Sequence, residues 1–103
     1  MRYVYIASPY ALGDVSFNVR ESLSMADLLI ERGFVPYAPL LSHFWNIISP
    51  KTHSDWLAYD FAWLEKCDCV LRMPGLSIGA DAEVRHAREL GIPVFYTLAE
   101  LLI

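Results

Sequence analysis

The chain is poor in the residues from which disulfide, metal and membrane proteins are built. It has two cysteines, Cys67 and Cys69, separated by one residue. In a strand such neighbours point to opposite faces, which disfavours a disulfide between them. Two buried thiols in a strand, in a reducing cytoplasm, is the reading that follows. No further Cys or His cluster stands at ligand spacing, so neither a metal nor a cofactor is expected. Nothing approaches the apolar run of about 18 residues that a membrane helix needs, so no membrane partner is expected. The apolar opening Tyr3-Val4-Tyr5-Ile6 breaks at Ser8-Pro9 with no cleavage site after it, which argues against a secretory leader. Blocks of like charge are absent, and a net charge of −4 lacks the basic stripe that a nucleic-acid polymer requires. Neither a Walker loop nor a Gly-x-Gly-x-x-Gly fingerprint is present.

What the chain has is apolar surface. With 103 residues, 55% of them hydrophobic, it is sized for one domain over residues 1–103 with a real core. Three Trp, six Tyr and five Phe exceed what so small a core needs. Part of that aromatic surface is expected to meet another subunit or a flat ligand.

Tyr3 to Ala7 is a continuous apolar run, the pattern of a strand buried on both faces. Val19, Leu23, Ala26, Leu29 and Ile30 recur at helical spacing between about Ser16 and Arg32, closed by Gly33. Phe34 to Ala38 predicts a second strand, placed at an edge by its proline. Pro39 to Lys51 reads as a polar and aromatic loop, and a helix follows from about Ser54 to Glu65. Cys67 to Met73 predicts a third strand, Pro74 to Gly79 a turn, Ala80 to Leu90 a helix capped by Gly91, and Ile92 to Tyr96 a fourth strand. A short terminal helix opens at the capping box Thr97-x-x-Glu100. Alternating strands and helices predict an α/β three-layer sandwich. Its sheet is expected to be parallel, Rossmann-like or flavodoxin-like, with about four strands in the order 2-1-3-4. Ligands in such sheets sit beyond the carboxyl ends of the strands, which selects Ser8 to Tyr10, Pro39 to His43 and Pro74 to Glu83.

Three acids and a loop carry the possible chemistry. Glu83 falls near the start of a helix, where the dipole helps a carboxylate stay ionised; it is either a nucleophile or base beside a cleft or an ordinary first-turn acid. Asp81 is expected to serve the dipole alone. Asp60 lies among Tyr59, Phe61 and Trp63, so it is either paired and functional or on a polar face with Glu65 and Lys66. Asp60 and Glu83 on one cleft would match the two-carboxylate logic of glycosyl transfer. The loop Gly75-Leu76-Ser77-Ile78-Gly79 is either a phosphate cradle or a plain turn with an N-cap.

Several segments, in order, resemble the nucleoside 2-deoxyribosyltransferase-like family. They are Tyr5-Ile6-Ala7-Ser8-Pro9-Tyr10, Pro39-Leu40-Leu41-Ser42-His43, Asp60-x-x-x-Leu64-x-x-Cys67-Asp68-x-Val70 and Gly79-Ala80-x-x-Glu83-x-x-x-Ala87. The resemblance implies Glu83 as a nucleophile at C1′ of the sugar, Asp60 as the acid that protonates the base, and Tyr5 as a group orienting Glu83. It implies substrate contacts at Ser8, Pro9, His43, Ser77, Gly79 and Ala80, with Ser77 at a position that touches phosphate in the monophosphate hydrolases. Pro9 and Ala11 stand where one hydrolase branch has the Ser and Arg that complete that phosphate site.

The function expected from this resemblance is a cytoplasmic N-glycosidase of a nucleoside 5′-monophosphate or nucleoside. The alternatives are a nucleoside 2-deoxyribosyltransferase and a non-catalytic module that sequesters a nucleotide. The aromatic load predicts a homodimer or higher homo-oligomer, built through the helix carrying Trp56 and Trp63. Sedimentation at micromolar protein should therefore give a species heavier than the 11.7 kDa chain.

Overall fold

A computed structural model describes residues 2–103; Met1 of the expected 1–103 unit lies outside the described residues. Its strands are β1 (Tyr3–Ala7), β2 (Val35–Tyr37), β3 (Cys69–Arg72) and β4 (Val94–Phe95). They form one parallel sheet in the order β2-β1-β3-β4, as expected, with β2 and its Pro36 at an edge. The helices are α1 (Val15–Glu31), α2 (Ser42–Ile48), α3 (His53–Leu64), α4 (Ile78–Glu89) and α5 (Leu98–Leu102). Among the described residues no helix is long and apolar enough to cross a membrane.

The period of two in β1 divides the core. Val4 and Ile6 face α1 and α5 and pack with Leu29 and Leu101, while Tyr5 and Ala7 face α3 and α4 and pack with Leu64, Ala80 and Ala87. Register extends the division across the sheet, because Val4 pairs with Cys69 and Ile6 with Leu71, whereas Tyr5 pairs with Val70. Two layers of helix on a buried parallel sheet give the three-layer sandwich. The crossover from β1 leads outward to β2, and the next returns past β1 to β3. The loops after β1 and β3 therefore diverge and leave a cleft at the switch point.

Several expectations need correction. Of the expected loop 39–51, only 49–51 is irregular: Pro39–Leu41 form a 3₁₀ turn with proline in its first turn, and Ser42–Ile48 a helix. No residue of α2 is buried, and Phe44 and Ile48 point outward, so α2 lacks the buried stripe by which helices are recognised in sequence. It is held instead by Trp45, packed edge-on against Trp56 and Tyr59 of α3. In α1, Leu29 is fully buried but Ile30 is exposed, one residue having turned it off the stripe. The strands β2, β3 and β4 are shorter than expected, and Cys67 precedes β3; both cysteines are free. Burial pushes the Cys67 thiol up to about 11, which makes it a poor nucleophile. Helix α4 begins at Ile78, so Gly79 and Ala80 belong to its first turn. The terminal capping box is half made: Thr97 caps the Glu100 amide, but Glu100 reaches back to Tyr96 N–H.

The two loops at the switch point touch at Gly75, which has φ of +116°. A Cβ there would lie 2.8 Å from Pro9 Cγ, inside van der Waals contact. Gly75→Ala is therefore expected to lower the stability by about 1–3 kcal/mol, through backbone strain and a displaced Pro9, as measured by the denaturant midpoint.

Candidate active site

Arg72 ends β3 and is only 8% exposed. A buried guanidinium must be paired, and here it donates to the carbonyls of Met73 and Gly75 (2.9 Å for the latter) and to Asp81 Oδ1 at 3.1 Å. It thereby fixes the loop that leads into α4. Asp81 is thus bound to a cation as well as lying in the first turn. Ser77 is the N-cap, its Oγ accepting from Ala80 N–H at 3.0 Å.

Small residues at Ala80 and Ala87 let α4 sit close to the sheet, and this brings Glu83 down onto β1. Glu83 is 6% exposed, and the fully buried Tyr5 donates its hydroxyl hydrogen to Glu83 Oε2. Here the expectation of an easily ionised acid fails. Glu83 lies six residues past the N-cap, beyond the first turn to which the dipole effect is confined. Burial pushes its carboxyl up to about 8; the Tyr5 hydrogen bond and Arg72 pull the other way, and the charge of Asp60 adds to the rise. Burial and the neighbouring carboxylates raise the Tyr5 phenol well above its ordinary value, so Tyr5 stays a donor.

Asp60 lies on the inward face of α3, half-buried, and Tyr37 of β2 directs its hydroxyl at Asp60 Oδ1 over a long 3.4 Å. Burial raises the Asp60 carboxyl to about 7, while the Tyr37 hydroxyl favours the ionised form. Of the two readings open in the sequence, the surface Asp is therefore excluded. Both carboxyls line one cavity of about 570 Å³ at the switch point, a volume suited to a small organic ligand.

Ser8, His43, Ser77, Gly79 and Ala80 line the same cavity. Tyr5 does not reach the wall and acts through Glu83. Pro9 is also absent from the wall; its ring turns to Gly75 and a smaller cleft near Phe17. His43 Nδ1 lies 2.6 Å from the Tyr10 phenol oxygen Oη. Ser8 Oγ is buried without a hydrogen-bond partner among the described residues, an atom left for a ligand or water. No Lys or Arg lines the cavity among the described residues, and no three His, Cys, Asp or Glu side chains gather there as metal ligands.

Sequence reasoning missed Arg72 and Tyr37. An arginine closing the apolar run Val70-Leu71 was a usable signal, because a charge in a buried strand needs a partner. Tyr37 carried none, since it matters through Asp60, a neighbour distant in sequence.

Fold and cleft together define a class: parallel, doubly wound α/β proteins with a ligand-sized, acid-lined cavity at the switch point. Within it, the chain belongs to the family described as a domain of unknown function, DUF7768, whose model matches residues 2–97. No curated protein matches the chain. Among solved structures, it is similar in fold to a 2-deoxyribosyltransferase from the psychrotolerant bacterium Bacillus psychrosaccharolyticus. The TM-score is 0.68 and the identity 17%, over 89% of this chain and 69% of that one. At such identity the likeness is one of fold.

The raised carboxyl has a consequence for stability. Because Glu83 titrates near 8 when folded and near 4.5 otherwise, folding takes up a proton between those values. The stabilisation is complete below about pH 4.5 and is lost as pH rises through about 8. Glu83→Gln removes this dependence. Relative to the native chain, the variant should gain roughly 2–4 kcal/mol between pH 5 and pH 9, read from denaturation midpoints.

Proposed function

We propose that the protein cleaves the N-glycosidic bond of a nucleoside, with Glu83 as nucleophile and Asp60 as general acid. The observation that carries this reading is the convergence of two carboxyls with raised pKa, from α3 and α4, on one cavity. The ordered sequence resemblance and the fold likeness to a 2-deoxyribosyltransferase support it.

In the reactive form Glu83 is ionised and Asp60 protonated, the minor arrangement of the pair's single proton, because Glu83 is the weaker of the two acids. The Glu83 carboxylate attacks C1′ as the C1′–N bond breaks, and its charge stabilises the oxocarbenium-like transition state. The bonding pair leaves with the base, which takes the Asp60 proton. Water then attacks C1′ of the glycosyl ester, giving its proton to Asp60 and freeing Glu83. Tyr5 holds the carboxylate in place throughout. If a second base attacks in place of water, the same intermediate yields transfer.

A nucleoside is favoured over its 5′-monophosphate because the wall offers no Lys or Arg beside its two carboxyls. One observation favours the monophosphate: Ser77 and Gly79 line the cavity where the first amides of α4 lack intrahelical acceptors.

The test incubates the pure protein with nucleosides and their 5′-monophosphates and follows free base by chromatography. Base release should fall about 10³-fold or more in Glu83→Ala. The pH profile of kcat/KM should be a bell with limbs at apparent pKa values of about 7 and about 8 belonging to the pair. Release no faster than in Glu83→Ala would overturn the proposal, and bound but unchanged nucleoside would identify a binding module.

A further inference from the structure

One polar group in the cavity wall takes no part in the chemistry above. Asn46 of α2 lines the cavity close to Trp56 of α3. Its Oδ1 accepts from Trp56 Nε1 at 2.6 Å and from the Lys51 backbone N–H at 3.0 Å. Two donors converging on one atom identify it as the oxygen and fix the amide against a flip. The frame is itself braced. Trp56 packs edge-on against Trp45 and Tyr59, and the Lys51 ammonium lies 5.4 and 5.5 Å from the Trp45 and Trp56 rings. Asn46 is therefore presented as a donor only, with Nδ2 the side-chain atom that has no partner among the described residues.

The position of this donor follows from α3. Trp56, which holds Asn46, and Asp60 are four residues apart on one face of α3, and all three residues line the cavity. With Asp60 at a base nitrogen, the Asn46 amide is a second polar group for the same base.

Resting on the N-glycosidic reading of this cavity, we infer that Asn46 sets base specificity: its Nδ2–H group donates to an exocyclic oxo oxygen, so the site takes oxo bases over their amino counterparts. An oxo group at pyrimidine C4 or purine C6 accepts this hydrogen bond. An amino group there sets N–H against N–H and leaves both donors unpaired, a loss that sites of this kind convert into discrimination.

The experiment is calorimetric titration of the full chain carrying Glu83→Gln, in which the nucleoside survives, with uridine against cytidine and inosine against adenosine. The oxo member of each pair should bind about tenfold tighter or more. Adding Asn46→Asp, which presents acceptors only, should remove or invert the preference. Trp56→Phe, which frees Oδ1 and lets the amide turn, should reduce it while leaving a packed aromatic ring. Equal affinity within both pairs, a preference unchanged by Asn46→Asp and Trp56→Phe, or no nucleoside binding would overturn the inference. Its failure differs from failure of the glycosidase reading. Base release from oxo and amino nucleosides alike would sink the specificity alone, whereas selective binding without base release from the unsubstituted chain would sink the chemistry alone.

Discussion

The hydrogen bond from Tyr5 to Glu83 is the constraint around which the structure is arranged. It joins the central strand β1 to helix α4 across 78 positions of sequence, with both partners buried. Neither group is tolerable there alone. A buried phenol without a partner loses its hydrogen bond to water, and a buried carboxyl loses far more. Because β1 is paired on both sides, Tyr5 has little freedom to move. The small residues of α4 then bring Glu83 to the phenol, and the cavity floor follows from that contact.

A second phenol repeats the device beside the first. Tyr5 and Tyr37 are register partners on adjacent strands, with ring centroids 5.6 Å apart, and Trp63 of α3 stacks on Tyr37 at 5.3 Å. The Tyr37 hydroxyl faces Asp60 as the Tyr5 hydroxyl faces Glu83. Two strands of one sheet thus supply a donor to each of two carboxyls on two helices. The acids are held by rigid elements, and the loops shape the mouth. Arg72 gathers the loop after β3, and the contact of Gly75 with Pro9 ties it to the loop after β1.

The arrangement costs stability at neutral pH. Burial raises both carboxyls toward or above 7, so the folded chain holds protons that the unfolded chain would release. A core selected only for stability would place an apolar residue at 83, between Tyr5 and the cavity. The acid at 83 is thus held against Tyr5 at a cost in stability.

Much of the fold is written in local pattern. The apolar run at Tyr3–Ala7, the helical spacing through Leu29, and the edge proline at Pro36 each reflect a periodicity that depends on near neighbours alone. Alternation of strand and helix then restricts the sheet to parallel, right-handed crossovers, and the switch-point rule selects the loops. α2 escaped because its apolar residues face outward and its support comes from rings on α3. The identity of the acids at 60 and 83 was likewise visible, as were the ordered segments around them. Their protonation was not, because a pKa is set by the solvent that packing removes. A helix start suggested an ionised Glu83; the tertiary structure buried it six residues past the cap, against a tyrosine. Sequence determined which elements form and which acids are available. Only the packing of α3 and α4 on one sheet face decided that those acids share a cavity, with a donor for each.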